Sequence, residues 1–183
     1  MNAGVRHLPA RRLPRTGGAD GWRGVLLHIH ICEAASYEME ELAEARCVAG
    51  RGIEGDRYFL GTGTYSAKPD VREITLFEME TLEALARNDP PLQGGPIVLQ
   101  PEEHRRNLTV RGVPLNHLVG REFRVGEVVL RGGRLNFPCK YLDELLGRPL
   151  FLPLYNRSGL NCAILRGGII RPGDAIVPAD GAG

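Results

Sequence analysis

The stretch NLTVRGVPLNHLVGREFRVGEVVL, residues 107–130, decides the fold class. It holds three short runs of apolar and β-branched residues, at 107–110, 122–125 and 128–130, with glycine and proline between them. Such runs predict short strands joined by turns. Many short strands with few helices are typical of a barrel. We therefore predict a mainly β fold, a closed β-barrel with a few short helices.

The same pattern continues in both directions along the chain. Further strands are predicted at 25–31, 73–76, 160–165 and 175–177. A helix is predicted after the strand at 73–76, because TLFE (75–78) has capping-box spacing and apolar residues then recur on one face. Shorter helices are predicted at 138–146 and, from composition alone, at 38–45.

Length and composition are those of an ordinary globular protein, with 183 residues, 43% of them hydrophobic and 25% charged. They predict one domain at 23–178, a flexible basic tail at 1–22 and a frayed end at 179–183. The sequence has no run of about 18 apolar residues, which argues against a membrane partner. Residues 1–21 lack the apolar core of a secretory signal, so we expect a cytoplasmic protein.

Charge is segregated along the sequence, although the net charge is only +1. Residues 1–24 carry a net +4, residues 25–103 a net −9 and residues 104–183 a net +6. Two explanations are open. Either the C-terminal half faces an anionic ligand, or the fold interleaves the halves so that their charges neutralise each other.

The four cysteines are too far apart for a zinc-ribbon or thioredoxin-type pair; they are Cys32, Cys47, Cys139 and Cys162. In a reducing compartment each is either a small core residue or a reactive thiol. Pro138 suits the first position of a helix, so we expect Cys139 in the first helical turn. There the helix dipole and Lys140 would stabilise a thiolate, which can bind a soft metal, carry sulfur or attack an electrophile. We interpret the other three cysteines as structural.

A second candidate site is HRRN, residues 104–107, directly before a predicted strand. The guanidiniums of Arg105 and Arg106 and the amide of Asn107 can grip a phosphate or another oxyanion. A solvated basic face and a nucleic-acid surface are the alternatives. Nucleic acid is the weaker of the two, because aromatic residues make up only 6% of the chain and do not alternate with arginine in any strand pattern.

The segment GIEGDR, residues 52–57, predicts a glycine-rich loop. Glycine permits unusual backbone angles, Asp56 can accept hydrogen bonds from turn amides, and Arg57 can project toward an anion. The segment is not a P-loop, because no Gly-Lys-Ser/Thr follows it. On spacing alone, a structural turn is the stronger interpretation.

Together these segments resemble the MOSC domain, named for the C-terminal domain of molybdenum cofactor sulfurase. The resemblance covers about residues 25–177, and its segments stand in the family's order: GIEGDR (52–57), REITLF (72–77), RRNL (105–108), LVGREFRVGE (118–127), NFPCKYL (136–142), NRSGL (156–160) and GGIIRPGD (167–174). The chain is similar to a stand-alone member. It lacks the PLP-dependent domain of the eukaryotic sulfurases and the N-terminal barrel of the mitochondrial amidoxime-reducing relatives.

The resemblance implies a compact β-barrel that binds the molybdenum cofactor (molybdopterin), an anionic pterin. Cys139 corresponds to the family's cysteine, a molybdenum ligand in some members and a proposed sulfur carrier in others. It is therefore our candidate catalytic residue and metal ligand. The candidate cofactor-binding residues are Asp56, Arg57, His104, Arg105, Asn107, Lys140 and Arg157.

Three functions are compatible with this resemblance. The first, which we favour, is a molybdenum-dependent reductase of N-hydroxylated or other N-oxygenated compounds, with a redox donor as partner. The second is a persulfide sulfur carrier served by a cysteine desulfurase, and the third is a cofactor storage or delivery module without turnover. PLP is not expected, because neither lysine of the chain, Lys68 or Lys140, has a surrounding PLP site.

Overall fold

The computed structural model describes residues 21–66, 72–92 and 94–179. The helices in these ranges are α1 (Arg57–Leu60), α2 (Met79–Arg87) and α3 (Lys140–Leu146), and two 3-10 turns span Pro101–His104 and Leu115–His117. The strands are β1 (Gly24–Ile31), β2 (Glu40–Glu41), β3 (Ala45–Val48), β4 (Gly52–Ile53), β5 (Ile74–Glu78), β6 (Leu108–Arg111), β7 (Glu122–Val125), β8 (Val128–Leu135), β9 (Leu160–Arg166), β10 (Gly168–Ile170) and β11 (Ala175–Pro178).

A closed barrel of seven strands forms the centre of the molecule. Neighbouring strands follow the order β11, β7, β8, β9, β5, β6 and β1, and β1 pairs back with β11 to close the barrel. The β5–β6 pair is parallel and the other pairs are antiparallel, so the barrel is mixed. Strand β2 pairs with the end of β1, and β10, β3 and β4 form a separate small sheet. The predicted fold class is confirmed.

Apolar side chains fill both the inside of the barrel and part of its outer surface. Leu26, Leu76, Leu108 and Phe123 are completely buried inside. A second apolar cluster covers Phe77, on the outer face of β5, with residues from α2, α3 and the loops beside them. Polar side chains on this covered part of the wall are therefore cut off from water and need partners within the protein.

The helix expected at 38–45 is absent, and this prediction is wrong. Within that range the chain forms β2 and then enters β3. In β3 the buried Ala45 and Cys47 alternate with the exposed Arg46, which is the pattern of a half-buried strand. Pairing with β10 and with the end of β1 therefore overrides a helix propensity that rested on composition.

The capping box expected at 75–78 is also absent. These residues belong to β5, which continues to Glu78 because β6 and β9 pair with it on either side. Helix α2 begins only at Met79, and the Glu78 side chain does not cap it. Instead, the Glu78 carboxylate accepts a hydrogen bond from the backbone N–H of Leu115, at 3.1 Å.

The predicted tail at 1–22 and frayed end at 179–183 lie outside the described residues except at their inner margins. There, the ring of Trp22 packs edge-on against Phe123, with 6.3 Å between centroids. The backbone N–H of Ala179 donates to the carbonyl of Glu122, at 3.1 Å. The domain limits of 23–178 stay a prediction. No helix in the described part of the chain is long and apolar enough to cross a membrane.

Gly159, directly before β9, occupies a position that only glycine fits. Its φ is +95°, and a Cβ there would lie 2.0 Å from the carbonyl oxygen of Leu76 in β5. Its own carbonyl accepts a hydrogen bond from the backbone N–H of Asn136, at 2.7 Å. Gly159 thus holds the segment between β8 and α3 close to the wall of the barrel.

Gly159→Ala should lower the free energy of unfolding by roughly 3 kcal/mol, because the new Cβ must displace the backbone of β5. Gly147→Ala is the matched control. Gly147 also has a positive φ, +62°, but its added Cβ would meet nothing within 4 Å, so the cost should be about 1 kcal/mol. Urea unfolding measures the free energy of unfolding of both variants. Equal losses of stability would show that the added Cβ at position 159 does not clash with the Leu76 carbonyl.

Candidate functional site

Cys139 lies at the junction between β8 and α3. Its backbone is extended, with φ −138° and ψ 153°, and α3 begins one residue later, so Cys139 is the N-cap residue. The predicted place in the first helical turn is therefore wrong, because the chain is still extended at this point. The thiol makes no capping hydrogen bond and is partly exposed, whereas the other three cysteines are buried. Side chains of other elements decide its environment.

Tyr65 lies next to Cys139, and Arg72 and Tyr58 lie beside Tyr65. Tyr65 forms a side-chain hydrogen bond with Cys139. Burial raises the pKa of Tyr65 and the proximity of Cys139 raises it further, while Arg72 opposes the shift. The Arg72 guanidinium lies 4.7 Å from the centre of the Tyr65 ring and 5.9 Å from that of Tyr58. At neutral pH the Tyr65 phenol is therefore protonated and able to donate to sulfur.

Arg106, two residues before β6, brings a guanidinium to the same place. Its Nε and Nη2 donate to the carbonyl and the hydroxyl of Ser158, at 3.1 and 3.0 Å, and its Nη1 donates to the carbonyl of His104, at 3.2 Å. Burial lowers the pKa of Arg106 to about 10, with a smaller contribution from neighbouring guanidiniums, while Cys139 opposes the shift. The group therefore keeps its positive charge at neutral pH.

Asp56 and Arg57 lie beside Arg105, so the structure brings three predicted site residues together. Asp56 caps α1, and its Oδ1 is 3.3 Å from Arg57 Nη1. Arg57 Nη1 also donates to the sulfur of Cys32, at 2.9 Å, and its Nη2 donates to the carbonyl of Arg105, at 2.8 Å. Arg105 Nη2 lies 3.6 Å from the same sulfur. Two guanidiniums thus converge on Cys32.

These arginines form what we call the guanidinium cluster, which consists of Arg57, Arg72, Arg105 and Arg106. Arg57 is neutralised by Asp56. Within the described residues, neither Arg105 nor Arg106 has a carboxylate within ion-pair distance, and their partners are carbonyls, a hydroxyl and a thiol. Elsewhere the fold pairs arginines of the C-terminal half with acids of the earlier part, as in Arg148 with Glu103, at 2.9 Å. Several surface arginines are thus neutralised, whereas Arg105 and Arg106 leave an excess of positive charge at the cluster.

The buried side chain of His104 holds the backbone of Arg106 in place. It is completely buried, and its ring stacks on Phe77 with 4.3 Å between centroids. Nδ1 accepts the backbone N–H of Arg106, at 2.9 Å, so Nε2 carries the proton and donates to Thr109 Oγ1, at 2.8 Å. We predicted that His104 binds the cofactor. Both ring nitrogens are engaged within the protein, and contact of His104 with the cofactor stays a prediction.

Asn107, also predicted to bind the cofactor, is completely buried as well. Its Oδ1 accepts hydrogen bonds from the backbone N–H and the hydroxyl of Thr75, at 3.1 and 2.8 Å. Its Nδ2 donates to the carbonyl of His30, at 3.2 Å. The side chain thus ties the start of β6 to β5 and β1, directly after the two arginines, and its contact with the cofactor stays a prediction.

Lys140 and Arg157, two further predicted site residues, directly follow Cys139 and directly precede Ser158, respectively. Lys140 is the exposed first residue of α3. Arg157 is partly exposed, and its Nε donates to the carbonyl of Pro153 in the preceding loop, at 2.6 Å. Their predicted roles in cofactor binding stay predictions.

Five residues around the site were not among the predicted site residues: Cys32, Tyr58, Tyr65, Arg72 and Arg106. The signal for Arg106 was its place in the HRRN segment. Cys32 follows a strand and was interpreted as structural. No spacing in the sequence marks the tyrosines, because they are distant from Cys139 in the chain.

A family model of the MOSC domain matches residues 63–177. This chain belongs to the MOSC domain family. The matched range includes the cluster members Arg105 and Arg106 as well as Cys139, and it begins after Asp56 and Arg57. A comparison with curated protein sequences gave no match.

Solved structures of MOSC-family proteins share the fold. The YuaD protein from Bacillus subtilis is 22% identical over 85% of this chain and 96% of its own, with a TM-score of 0.67. YiiM from Geobacillus stearothermophilus is 15% identical over 86% of this chain and 75% of its own, with a TM-score of 0.62. YiiM from Escherichia coli is 16% identical over 86% and 71%, with a TM-score of 0.60. Identities this low support the fold alone.

The stability of this MOSC chain should fall as the pH drops below about 6.5. Burial and the charge of Arg106 lower the pKa of His104 well below its usual 6.5. Below that value the unfolded chain binds a proton at His104 that the folded chain does not, and unfolding is favoured. The pKa of His30 is also lowered by burial, with an effect of the same sign. Urea unfolding at several pH values from about 5.5 to about 7.5 measures how steeply the free energy of unfolding depends on pH.

His104→Gln should reduce this pH dependence, because the substituted side chain does not titrate. His117→Gln, at an exposed position, should leave it unchanged. The same slope in His104→Gln as in the wild type would contradict the assignment of a buried neutral His104.

Alkylation near neutral pH should label Cys139 before the other cysteines, because it is partly exposed and they are buried. Burial raises the pKa of Cys47 to about 12 and raises that of Cys162 as well, so both should react only on unfolding. A time course by mass spectrometry follows each site, and Cys139→Ser should remove the fast phase. Fastest labelling at Cys32, Cys47 or Cys162 would show that the reactive thiol has been misassigned.

Proposed function

We propose that this MOSC chain binds the molybdenum cofactor at the guanidinium cluster, with Cys139 as the protein ligand of the metal. The observation that carries the proposal is an excess of positive charge beside a partly exposed thiol. Within the described residues Arg105 and Arg106 have no carboxylate partner, and a phosphate-bearing ligand supplies the missing negative charge. Guanidinium is the side-chain group best suited to bind such an oxyanion in a bidentate manner.

The chemistry of the site residues fits such a group. Arg106 is largely shielded from solvent and stays charged, so its attraction for a bound oxyanion is less screened than at the surface. A cysteine thiolate is a soft donor that suits a thiophilic metal. In the described ranges no three His, Cys, Asp or Glu side chains converge to hold a metal ion. Cys139 would then be the single protein ligand, with further sulfur ligands coming from the pterin.

When bound, the cofactor supplies two-electron redox chemistry, and we propose that the chain uses it to reduce N-hydroxylated or other N-oxygenated compounds. Arg105 and Arg106 hold the anionic end of the ligand. His104 and Asn107 keep those two arginines in place from the barrel side. Tyr65, protonated at neutral pH, donates a hydrogen bond to the sulfur of Cys139 and orients it. The reaction requires a separate electron donor as partner.

Two other functions use the same thiol. A persulfide carrier would receive sulfur on Cys139 from a cysteine desulfurase, and a storage module would hold the cofactor without turnover. The arginine-rich surroundings favour cofactor binding over the carrier, because a persulfide does not require bidentate recognition of an oxyanion. Redox turnover is the form of cofactor binding that we propose.

Protein purified from a host that makes the cofactor should contain molybdenum and pterin. Arg105→Ala and Arg106→Gln should each weaken cofactor binding by about 1.5–3 kcal/mol, the range for a lost hydrogen bond to a charged group. Elemental analysis and pterin fluorescence measure the loss. With a strong reductant the wild type should reduce an N-hydroxylated base, and Cys139→Ala should not.

Arg111→Gln is the matched control, because Arg111 lies at the far end of β6 and pairs with Glu83. It should keep the cofactor content of the wild type. Cyanide-labile sulfur on Cys139, in protein that holds neither molybdenum nor pterin, would contradict the proposal and support the carrier. Bound cofactor without any turnover would support the storage module.

A further inference from the structure

A row of polar side chains crosses the outer face of the barrel wall between Arg106 and Cys139. We call it the polar row, and it consists of Asn107 directly before β6, Thr75 on β5, Asn161 on β9 and Arg134 on β8. Thr75 stands opposite Asn161, and Asn161 stands opposite Arg134. Asn107 is joined to Thr75 by side-chain hydrogen bonds.

The polar row links the two halves of the site. It begins at Asn107, directly after Arg106, and ends on β8, whose chain continues to Cys139. Asn161 faces outward because its neighbours in β9, Leu160 and Cys162, point into the core of the barrel. A ligand that contacts both Arg106 and Cys139 therefore passes over the polar row, whose Thr75, Asn107 and Asn161 are covered in this structure.

Two asparagines of the polar row are equally buried but differ in their bonding. Asn107 and Asn161 each have no exposed surface. Asn107 uses both its amide oxygen and its amide nitrogen. Asn161 uses only its oxygen, which accepts a hydrogen bond from Asn136 Nδ2, at 2.6 Å. Its Nδ2 has no hydrogen-bond partner within the described residues. A buried donor without a partner lowers the stability of the fold. The amide nitrogen of Asn161 is therefore not explained by a contribution to folding.

We propose that Asn161 Nδ2 donates a hydrogen bond to the ligand of this site, at a carbonyl oxygen or ring nitrogen of its heteroaromatic ring. The inference rests on the proposed function, because it takes the pterin as that ligand. Asn136 lies three residues before Cys139 and is partly exposed. It is bonded to Asn161 by one side-chain hydrogen bond, so it is the group that moves aside when the ligand reaches the amide. Asn161 thereby fixes the ring, while the arginines fix the anionic end.

The test compares Asn161→Leu with Asn107→Leu, which replace equally buried asparagines by a side chain of similar size. In cofactor-free protein, Asn161→Leu should keep the urea midpoint of the wild type or raise it, because it removes an unpartnered donor. Asn107→Leu should lower the midpoint clearly. In protein from a cofactor-making host, Asn161→Leu should lose pterin on dilution about three- to tenfold faster than the wild type, the change expected for one neutral hydrogen bond. Pterin fluorescence follows the loss.

Asn161→Asp is the second variant, in case Asn161→Leu does not fold. It keeps an oxygen that accepts from Asn136 but has no amide donor, so it should also speed the loss of pterin. A midpoint in Asn161→Leu as low as that in Asn107→Leu would show that the amide is already satisfied, and the inference would be overturned. Wild-type rates of loss in the Asn161 variants would overturn it too and leave the proposed function standing. A wild type that carries no pterin would overturn both.

Discussion

The geometry of the candidate site depends on the burial of one amide, that of Asn107. A buried amide must find partners inside the protein, and Asn107 finds them on two neighbouring strands, at Thr75 and at the carbonyl of His30. These bonds fix the start of β6 against β5 and the end of β1. Arg105 and Arg106 directly precede Asn107, so the same bonds place their guanidiniums. The positions of the positive charges in the site therefore depend on the hydrogen bonds of Asn107 to β5 and β1.

The barrel could be predicted from sequence because its strands are short, rich in β-branched residues and separated by glycine and proline turns. The strands predicted at 25–31, 122–125 and 160–165 all lie where the structure has strands. The region 38–45 was mispredicted for a physical reason. Its four glutamates favour a helix by propensity alone, and pairing with β1 and β10 outweighs that preference. Local propensity cannot report on a partner strand distant in the chain.

The candidate site was predictable in part, through its thiol and its run of arginines. The sequence does not show that Tyr65 lies beside Cys139 and Arg72 beside Tyr65, because these residues are distant from Cys139 in the chain. It also does not separate a buried brace such as His104 from an exposed ligand-binding histidine, since only burial and hydrogen bonding distinguish them. The segregated charge is partly explained by neutralisation, because Arg111, Arg148 and Arg171 each pair with an acid from the earlier part of the chain. An anionic ligand at the guanidinium cluster stays a proposal.

The central claim is that the guanidinium cluster presents an anionic metal cofactor to Cys139. Molybdenum X-ray absorption tests it most directly, on wild type and Cys139→Ser purified from the same cofactor-making host. The account predicts molybdenum in the wild type, and a sulfur neighbour of the metal that is missing in Cys139→Ser. Identical sulfur shells in the two proteins, or a wild type without molybdenum, would contradict it.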